Sequence, residues 1–440
     1  MPGHTPTLQQ PTIVALSSGA GRAGVAVIRV SGPQVRFVLE TIAGGAPPPR
    51  KVELRKLSDP DGEAIDQALV LFFPSPHSFT GEDVAEFHTH GSRAVIARLL
   101  AVLTALPHVR LAEAGEFTRR AFEAGKLDLA AVEGLADLID SETEWQRRQA
   151  LRQMEGALGA MTAAWREQLI SAMALLAAEI DFSDEGDVDG PLVEQARSLA
   201  AAVLSELKHA LGSFARGERV REGFVVVLAG PPNAGKSSLL NALARRDVAI
   251  VSEIAGTTRD AIEVRLDLAG MPVTLIDTAG LRDSADAIEA EGVRRALALA
   301  ERADLVLRLR AVDSEADQFL SLPHLLAVAT KADLHVAPRP DEIAVSARTG
   351  AGLDALLALL ADRLDARALG EPSLLTRQRH KNAVSEAIAA IERSLNPDLS
   401  DAELIAEDLR QAVVALERLI GRIGVEDVLD QLFSGFCIGK

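Results

Sequence analysis

Cysteine is nearly absent from this chain, and that scarcity excludes two kinds of structure. Among 440 residues there is one cysteine, Cys437, so neither an intrachain disulfide nor a cysteine-cluster zinc site can form. Long apolar runs are also missing, since none approaches the ~20 residues that span a bilayer. Residues 1–11 lack the basic and apolar stretches of a signal peptide. We therefore expect a cytoplasmic protein without membrane contact.

Basic residues are fewer than acidic residues in this chain. The chain has 63 acidic and 46 basic residues and a net charge of -17. This balance excludes a general nucleic-acid binder that relies on counterion release. Local basic clusters leave two interpretations open, a docking patch for nucleic acid or a solvated helix face. The clusters are Arg119–Arg120, Arg147–Arg148 and Arg377–Lys381.

The length of the chain predicts several domains, because 440 residues exceed what one core usually fills. Residues 1–120 mix short apolar runs with glycine and proline, which predicts an α+β domain. Residues 121–218 and 371–440 are rich in alanine, leucine, glutamate and arginine at helical spacing. Residues 219–370 alternate strand and helix patterns. We predict an α/β domain with a parallel doubly wound sheet, inserted between two halves of an all-α helical domain.

Individual elements can be predicted within these regions. A helical stretch, Ser141–Glu179, predicts one or two long helices with Gly156 and Gly159 as packing or kink points. A further helix is predicted over Leu192–Arg216. Residues 310–323 look short and irregular for a crossover in an α/β domain. The predicted strands are Ile13–Leu16, Val25–Val30, Ala68–Phe73, Phe224–Ala229, Val273–Asp277, Leu305–Leu309, Leu325–Thr330 and Ile343–Ser346.

A glycine-rich segment between a predicted strand and a predicted helix carries the clearest chemistry. Residues Gly230–Ser237 read Gly-Pro-Pro-Asn-Ala-Gly-Lys-Ser, the pattern of a phosphate-binding loop. The glycines allow close backbone approach, and successive amides with the helix N-terminus form an anion cradle. We predict that Lys236 contacts the β- and γ-phosphates and that Ser237 ligates Mg²⁺. The segment predicts a P-loop nucleotide enzyme.

Further segments follow in the order of a GTP switch. Thr258, in Gly-Thr-Thr-Arg-Asp, is predicted to sense Mg²⁺ and the γ-phosphate. Asp277 ends an apolar strand, where its carboxylate suits the outer shell of the metal. Gly280 follows and can donate its amide to the γ-phosphate. These motifs predict a Ras-like G domain.

The base-reading motif is Thr330-Lys-Ala-Asp333. Asp333 can accept from the N1 and the exocyclic amine of guanine, a donor pair that adenine does not present. Thr330 replaces the usual asparagine, which weakens one base contact. Ser346-Ala-Arg348 is the usual loop behind the base. GTP is therefore the predicted nucleotide, and ATP is the alternative.

The predicted nucleotide contacts together form one set. They are Asn233, Ala234, Gly235, Lys236, Ser237, Ser238, Ser252, Thr257, Thr258, Asp277, Thr278, Ala279, Gly280, Thr330, Lys331, Asp333, Ser346, Ala347 and Arg348.

One position changes the expected mechanism of hydrolysis. Ras-like enzymes carry a glutamine after Asp-Thr-Ala-Gly, and it orients the attacking water. Leu281 stands there and cannot form a hydrogen bond, so hydrolysis needs another water-positioning group and another positive charge.

At this point the sequence closely resembles the bacterial MnmE family of tRNA-modification GTPases, also called TrmE. The resemblance runs from Thr12 to Lys440 and includes the insertion of the G domain in a helical domain. Generic translational GTPases share the nucleotide motifs but not the other segments. Those segments are Gly21–Gly32, Ser78–Glu86, Gly115–Phe122, Gly125–Leu129 and Phe436–Lys440.

The resemblance implies a GTPase stimulated by K⁺. In the family, the ion acts where an arginine finger would, and here it would be held by Asn233, Ser252, Ile254 and Thr257. A family glutamate that orients the water falls on Glu289. From the residues alone, Asn233 could instead brace its loop and Glu289 could be an exposed helix residue.

The resemblance also implies that the N-terminal domain dimerises and binds 5-formyl- or 5,10-methylene-tetrahydrofolate. The family's folate contacts fall on Arg29, Glu86, Lys126 and Lys440. From the residues alone, Arg29 reads as a surface residue of an edge strand and Lys126 as a helix-cap cation. Cys437 invites assignment as a nucleophile, but a lone cysteine is more often a small buried residue.

The implied function is the modification of C5 of the wobble uridine, position 34, in certain tRNAs. A homodimer would work with the FAD protein MnmG, as a heterotetramer, to add aminomethyl or carboxymethylaminomethyl groups. Two alternatives remain at this stage. One is a GTP-dependent ribosome or RNA assembly factor without modifying chemistry. The other is a folate-dependent methyltransferase with a vestigial G domain.

Overall fold

A computed structural model describes residues 10–19, 21–182, 191–246, 248–250, 262–277, 299, 301–315, 324–365, 373–423, 426–436 and 438–439. The strands are β1 Thr12–Leu16, β2 Ala23–Ser31, β3 Glu53–Ser58, β4 Ala64–Phe73, β5 Val84–Gly91, β6 Val109–Leu111, β7 Phe224–Ala229, β8 Ile262–Leu268, β9 Met271–Asp277, β10 Leu305–Ala311, β11 Leu325–Thr330 and β12 Ile343–Ala344. The helices are α1 Val35–Ala43, α2 Arg93–Ala105, α3 Glu116–Glu123, α4 Leu129–Ile139, α5 Glu144–Met154, α6 Ala157–Phe182, α7 Pro191–Gly212, α8 Phe214–Glu222, α9 Lys236–Ala244, α10 Leu353–Asp365, α11 Gln378–Ser394, α12 Ala402–Leu419 and α13 Glu426–Ser434.

The chain divides into two compact units. One comprises residues 1–136, 159–163 and 416–440, and the other comprises residues 137–158 and 164–415. The first unit contains a six-stranded sheet in the order β3-β4-β5-β2-β1-β6. Helices α1 and α2 cover one face of this sheet and share a buried apolar core with it. The predicted α+β character of this region is confirmed.

Alternation along β5 shows how this sheet divides its residues between two faces. Ala85 and Phe87 are fully buried in the core beneath the helices. Glu86 and His88 therefore point to the opposite face, because neighbouring residues in a strand alternate. Arg29 on β2 is the register partner of Glu86, so both side chains lie on that opposite face.

The second unit contains the sheet of the G domain, in the order β12-β11-β10-β7-β9-β8. Helices α9 and α10 pack on one face, and Leu299 and Ala303 pack against the other. The predicted doubly wound sheet is confirmed. The strand β8 pairs antiparallel with β9, so this edge of the sheet departs from the parallel pattern.

The predicted helical stretch Ser141–Glu179 forms two helices, α5 and α6. The break falls at Gly156, whose φ of +85° suits glycine far better than any other residue. Gly159 is a packing point, since a Cβ there would lie 2.1 Å from Asp128 Oδ2. The predicted helix Leu192–Arg216 corresponds to α7 and α8.

Helix α5 joins the helical part of the second unit to the G domain. The amide nitrogen of Gln149 donates to the Ser373 carbonyl at 3.1 Å. The Thr376 hydroxyl donates to Gln153 Oε1 at 3.2 Å. At the other end of α5, the Trp145 backbone N–H donates to the Gly270 carbonyl at 3.3 Å, in the turn between β8 and β9. The helix therefore contacts both a chain segment that leaves the G domain and a hairpin within it.

Candidate functional site

The phosphate-binding loop occupies the turn between β7 and α9. A Cβ on Gly230 would lie 2.4 Å from the Leu309 carbonyl oxygen, so only glycine fits between the loop and β10. Gly235 caps α9 in the left-handed conformation, at φ 84°, and provides no side-chain cap. The first amides of the helix are therefore available to an anion, as a phosphate cradle requires.

Lys236 begins the helix and is buried, with 6% of its surface exposed. Its Nζ donates to the carbonyl oxygens of Gly230 at 2.8 Å and of Pro231 at 3.0 Å. The loop thus curls around the ammonium group. This arrangement holds a compact positive charge inside the cradle, where phosphate oxygens are expected.

A hydroxyl and a buried carboxylate meet beside this loop. Ser237 Oγ donates to Asp277 Oδ2 at 2.6 Å, and Asp277 is completely buried at the end of β9. Oxygen ligands of this kind suit Mg²⁺, which usually keeps several waters and binds few protein groups. The donor set therefore fits the metal that the sequence predicts at Ser237 and Asp277.

Asn233 adopts the left-handed conformation at φ 62°, which asparagine tolerates better than most residues. Its side chain is exposed on the loop, as is Ser238 in the first turn of α9. Ala234 is buried, and its carbonyl accepts a hydrogen bond from Thr330. The side chain of Asn233 is therefore exposed to solvent, while the hydrogen bond from Thr330 to the Ala234 carbonyl holds the backbone of the loop in place.

Thr330 ends β11 and is 4% exposed. Its hydroxyl donates to the Ala234 carbonyl at 2.6 Å and lies 3.3 Å from the Arg310 carbonyl. Sequence reasoning expected this threonine to weaken a contact with the base. In the structure, its hydroxyl joins the base-reading segment to the phosphate-binding loop.

Asp333 lies in a short 3₁₀ turn after β11. Its Oδ1 accepts from Ser346 Oγ at 2.6 Å, and its Oδ2 lies 2.7 Å from an Arg348 guanidinium nitrogen. The hydrogen bond from Ser346, helped by Arg348, lowers the pKa of Asp333 below its usual value. The carboxylate is therefore an ionised acceptor, which is the form that guanine's donors require. Lys331 Nζ pairs with Asp313 at 3.4 Å.

Several predicted site residues lie outside the described residues. They are Ser252, Ile254, Thr257, Thr258, Thr278, Ala279, Gly280, Leu281, Glu289, Cys437 and Lys440.

A second cluster lies on the open face of the first unit's sheet. Arg29 Nε donates to Glu86 Oε1 at 3.0 Å. The guanidinium also lies 5.6 Å from the ring centre of Phe79 and 5.8 Å from that of Phe117. Strand β2 has neighbours on both sides, so the interpretation of Arg29 as an edge-strand residue is wrong. His88 also contacts this carboxylate, since its Nε2 lies 3.1 Å from Glu86 Oε2.

Lys126 contacts the loop that also carries Phe79. Its Nζ donates to the Pro76 carbonyl at 2.6 Å, so this ammonium does not serve as a helix cap for α3. At the other end of the unit's sequence, the Gly439 carbonyl accepts from Ser17 Oγ at 2.8 Å, next to the end of β1.

The basic clusters are largely paired with acids. Arg120 is 4% exposed and bonds Glu82 and Glu116. The remaining pairs with carboxylates are Arg119 with Asp430, Arg147 and Arg148 with Glu144, and Arg377 with Asp137. These contacts favour structural roles over a docking patch for nucleic acid.

The described residues contain no group of three or more His, Cys, Asp or Glu side chains placed to hold a metal ion. Nor does any helix in this part of the chain combine the length and apolarity that a membrane span needs.

Two family profiles match the chain. One, described as GTP-binding protein TrmE N-terminus, matches residues 12–126, and the other, described as MnmE helical domain, matches residues 129–437. The tRNA modification GTPase MnmE of Azorhizobium caulinodans is 53% identical over 436 residues, which cover 99% of this chain and 100% of that protein. The protein of the same name from Methylorubrum populi is 54% identical over 98% of this chain and 99% of its own length.

A solved structure of Aquifex aeolicus Era bound to GDP and aluminium fluoride also resembles part of the chain. It shares 24% identity, covers 38% of this chain and 66% of its own, and has a TM-score of 0.26, too low to carry an argument. The two profiles and the near full-length relatives decide the assignment. This chain belongs to the MnmE (TrmE) family of tRNA modification GTPases.

Proposed function

We propose that this chain hydrolyses GTP as part of the modification of tRNA, the activity for which its relatives are named. The observation that carries the proposal is the convergence of three groups at the carboxyl ends of the parallel strands. Lys236 follows β7, Asp277 ends β9 and Asp333 follows β11. In open α/β sheets, ligands bind at this edge.

Each group has a distinct task in the proposed reaction. Lys236 and the first amides of α9 bind the phosphates and offset their negative charge. Ser237 and Thr258 would hold Mg²⁺, which when bound supplies positive charge to the phosphate oxygens. Asp333 accepts from the guanine N1 and amine, so the site selects GTP over ATP.

The water-positioning step needs groups other than a glutamine, because Leu281 stands at that position. The family resemblance assigns the step to Glu289, which would orient the attacking water. Asn233, Ser252, Ile254 and Thr257 would hold K⁺, which when bound supplies the positive charge that an arginine finger supplies elsewhere. The exposed side chain of Asn233 supports this assignment.

The open face of the N-terminal sheet is the proposed site for 5-formyl- or 5,10-methylene-tetrahydrofolate. The proposed contacts are Arg29, Glu86, Lys126 and Lys440, a set whose cations suit the glutamyl tail of a folate and whose carboxylate suits its pterin. The contacts of Arg29 and Lys126 with one loop, through Phe79 and Pro76, support a common site.

A binding titration with 5-formyl-tetrahydrofolate tests this part of the proposal. Arg29→Ala removes the cation between the two rings, and we expect binding to weaken about tenfold or more. Arg55→Ala is the matched control, because Arg55 pairs with Glu53 on the edge strand β3 of the same sheet. Equal affinities in the two variants would remove Arg29 from the folate site.

At the level of the whole reaction, a homodimer would act with the FAD protein MnmG, as a heterotetramer, on C5 of the wobble uridine in certain tRNAs. GTP hydrolysis would gate the conformation and leave the carbon chemistry to folate and flavin. The full-length match to proteins named tRNA modification GTPase supports the tRNA part of this proposal.

Mass spectrometry of wobble nucleosides from a strain that lacks the gene tests the proposal. We expect loss of the C5 modification, with recovery when the gene is restored. Unchanged C5 modification together with defective ribosomal subunits would instead favour the alternative, a GTP-dependent assembly factor.

A further inference from the structure

A buried ion pair lies beside the base-reading segments. Arg310, near the end of β10, donates through Nε to Glu342 Oε1 at 2.8 Å and through Nη2 to Oε2 at 2.6 Å. The side chains are only 7% and 1% exposed. The bidentate geometry is the strongest form of a guanidinium–carboxylate contact.

Such a pair needs a reason other than stability. Removing two charges from water costs about as much as their attraction returns, so apolar residues would often serve as well. The hydrogen bonds from Arg310 lower the pKa of Glu342, so the carboxylate is ionised and the pair is fully charged. A buried charged pair that adds little stability can still fix the relative position of the segments that carry it.

The segments joined by this pair surround β11. Strand β11 lies between β10 and β12, and Glu342 directly precedes β12. Arg310 Nη1 also donates to the Ser314 carbonyl at 2.8 Å, in the turn after β10. Glu342 Oε2 accepts from the Arg339 backbone N–H at 3.0 Å, in the loop before β12. The pair therefore reaches across β11 and connects the turn after β10 with the loop before β12.

The base-reading residues emerge from these same strands. Asp333 follows β11, and Ser346, which bonds Asp333 at 2.6 Å, follows β12. Thr330, at the end of β11, also lies against the Arg310 carbonyl. A shift of β12 relative to β11 would move Ser346 away from Asp333.

We propose that Arg310 and Glu342 are positioning residues for guanine recognition, because they hold the loop of Asp333 and the loop of Ser346 in register. The inference rests on the proposed function, in which Asp333 reads the guanine base. It predicts that the pair affects discrimination at the base and has little effect on phosphate binding.

The test is the ratio of dissociation constants for IDP and GDP, measured by displacement of a fluorescent nucleotide. IDP lacks the exocyclic amine that Asp333 accepts from, while its phosphates are unchanged. The ratio describes only folded, binding-competent protein, so a loss of stability alone leaves it unchanged. Glu342→Gln should lower the ratio about fivefold, since it removes the charge and one acceptor. The double variant Arg310→Met/Glu342→Leu should lower it similarly while keeping an apolar, packed interior.

Two further variants are needed, a control for the pair and a test of Asp333 itself. Asp341→Asn is the matched control, because Asp341 neighbours Glu342, is 68% exposed and lies 3.6 Å from Arg308. We expect it to keep the ratio within about twofold. Asp333→Asn tests the underlying function and should abolish the preference for GDP. If it does so while both Glu342 variants retain the original ratio, the positioning role is refuted. If Asp333→Asn retains the ratio, the assignment of Asp333 itself fails.

Discussion

Replacing Thr330 by valine removes one hydroxyl group and almost no volume. That hydroxyl joins the end of β11 to the phosphate-binding loop, because it donates to the Ala234 carbonyl at 2.6 Å. Both residues are buried, at 4% and 2% exposure, so water cannot readily replace the lost donor. The variant therefore isolates one hydrogen bond between the base-reading and phosphate-binding halves of the site.

The expected size of the effect follows from that burial. Leaving a buried acceptor without its donor costs about 1–3 kcal/mol. GDP binding to the variant must then supply this free energy to hold the loop in the conformation seen here. The affinity for GDP should therefore fall by about 5- to 150-fold. Thr330→Ser keeps the hydroxyl and should keep most of the affinity.

Titration of a fluorescent GDP analogue measures the effect directly. Thr376→Val is a matched control, because Thr376 is 1% exposed and its hydroxyl bonds Gln153 away from the nucleotide. Thr376→Val should lower the melting temperature without a change in GDP affinity. If Thr330→Val binds GDP as tightly as the original protein, the hydroxyl does not organise the loop and our reasoning is refuted.

Three other predictions concern the ion, pH and packing. GTP hydrolysis should be faster in KCl than in NaCl, and Asn233→Ala should remove the difference; equal rates in the two salts for the original protein would contradict the potassium assignment. Because the hydrogen bond from Ser346 lowers the pKa of Asp333 below its usual value, its carboxylate stays ionised near neutral pH, so the IDP/GDP ratio should be constant from about pH 8 to 5 and fall only in stronger acid. Gly270→Ala should lower the melting temperature, since its Cβ would lie 2.7 Å from Trp145 Cδ1 at φ +89°. Gly350→Ala, with a similar φ of +80° and only a flexible arginine nearby, should lower it less; an equal loss would mean that backbone strain, not Trp145, sets the cost.

The sequence predicts well the strands and the helix that carry the nucleotide motifs, because these elements depend on local patterns. The strands Phe224–Ala229 and Leu325–Thr330 coincide with the structure, since each is a continuous apolar run buried on both faces. Glycine likewise marks the break at Gly156, where the backbone requires a positive φ. In these places, a few adjacent residues determine the local structure.

Other features depend on residues that are far apart in the chain. Strand β5 carries Glu86, His88 and His90 on its open face, and this face is decided by the packing of Ala85 and Phe87 beneath the helices. The register of β2 with β5, which brings Arg29 to Glu86, is set by tertiary pairing. The ion pair of Arg310 with Glu342 joins residues on either side of β11, and nothing near either residue in the sequence identifies its partner.

The central claim is that GTP hydrolysis at this phosphate-binding loop supports the modification of tRNA. Lys236→Ala removes the ammonium group from the centre of the loop, whereas Lys208→Ala removes one from an exposed pair with Glu392 on α11. Each variant is placed in a strain that lacks the gene, and C5-modified wobble uridine is measured by mass spectrometry. We predict that Lys208→Ala restores the modification and that Lys236→Ala, although produced in folded form, does not. Full restoration by Lys236→Ala would contradict the account.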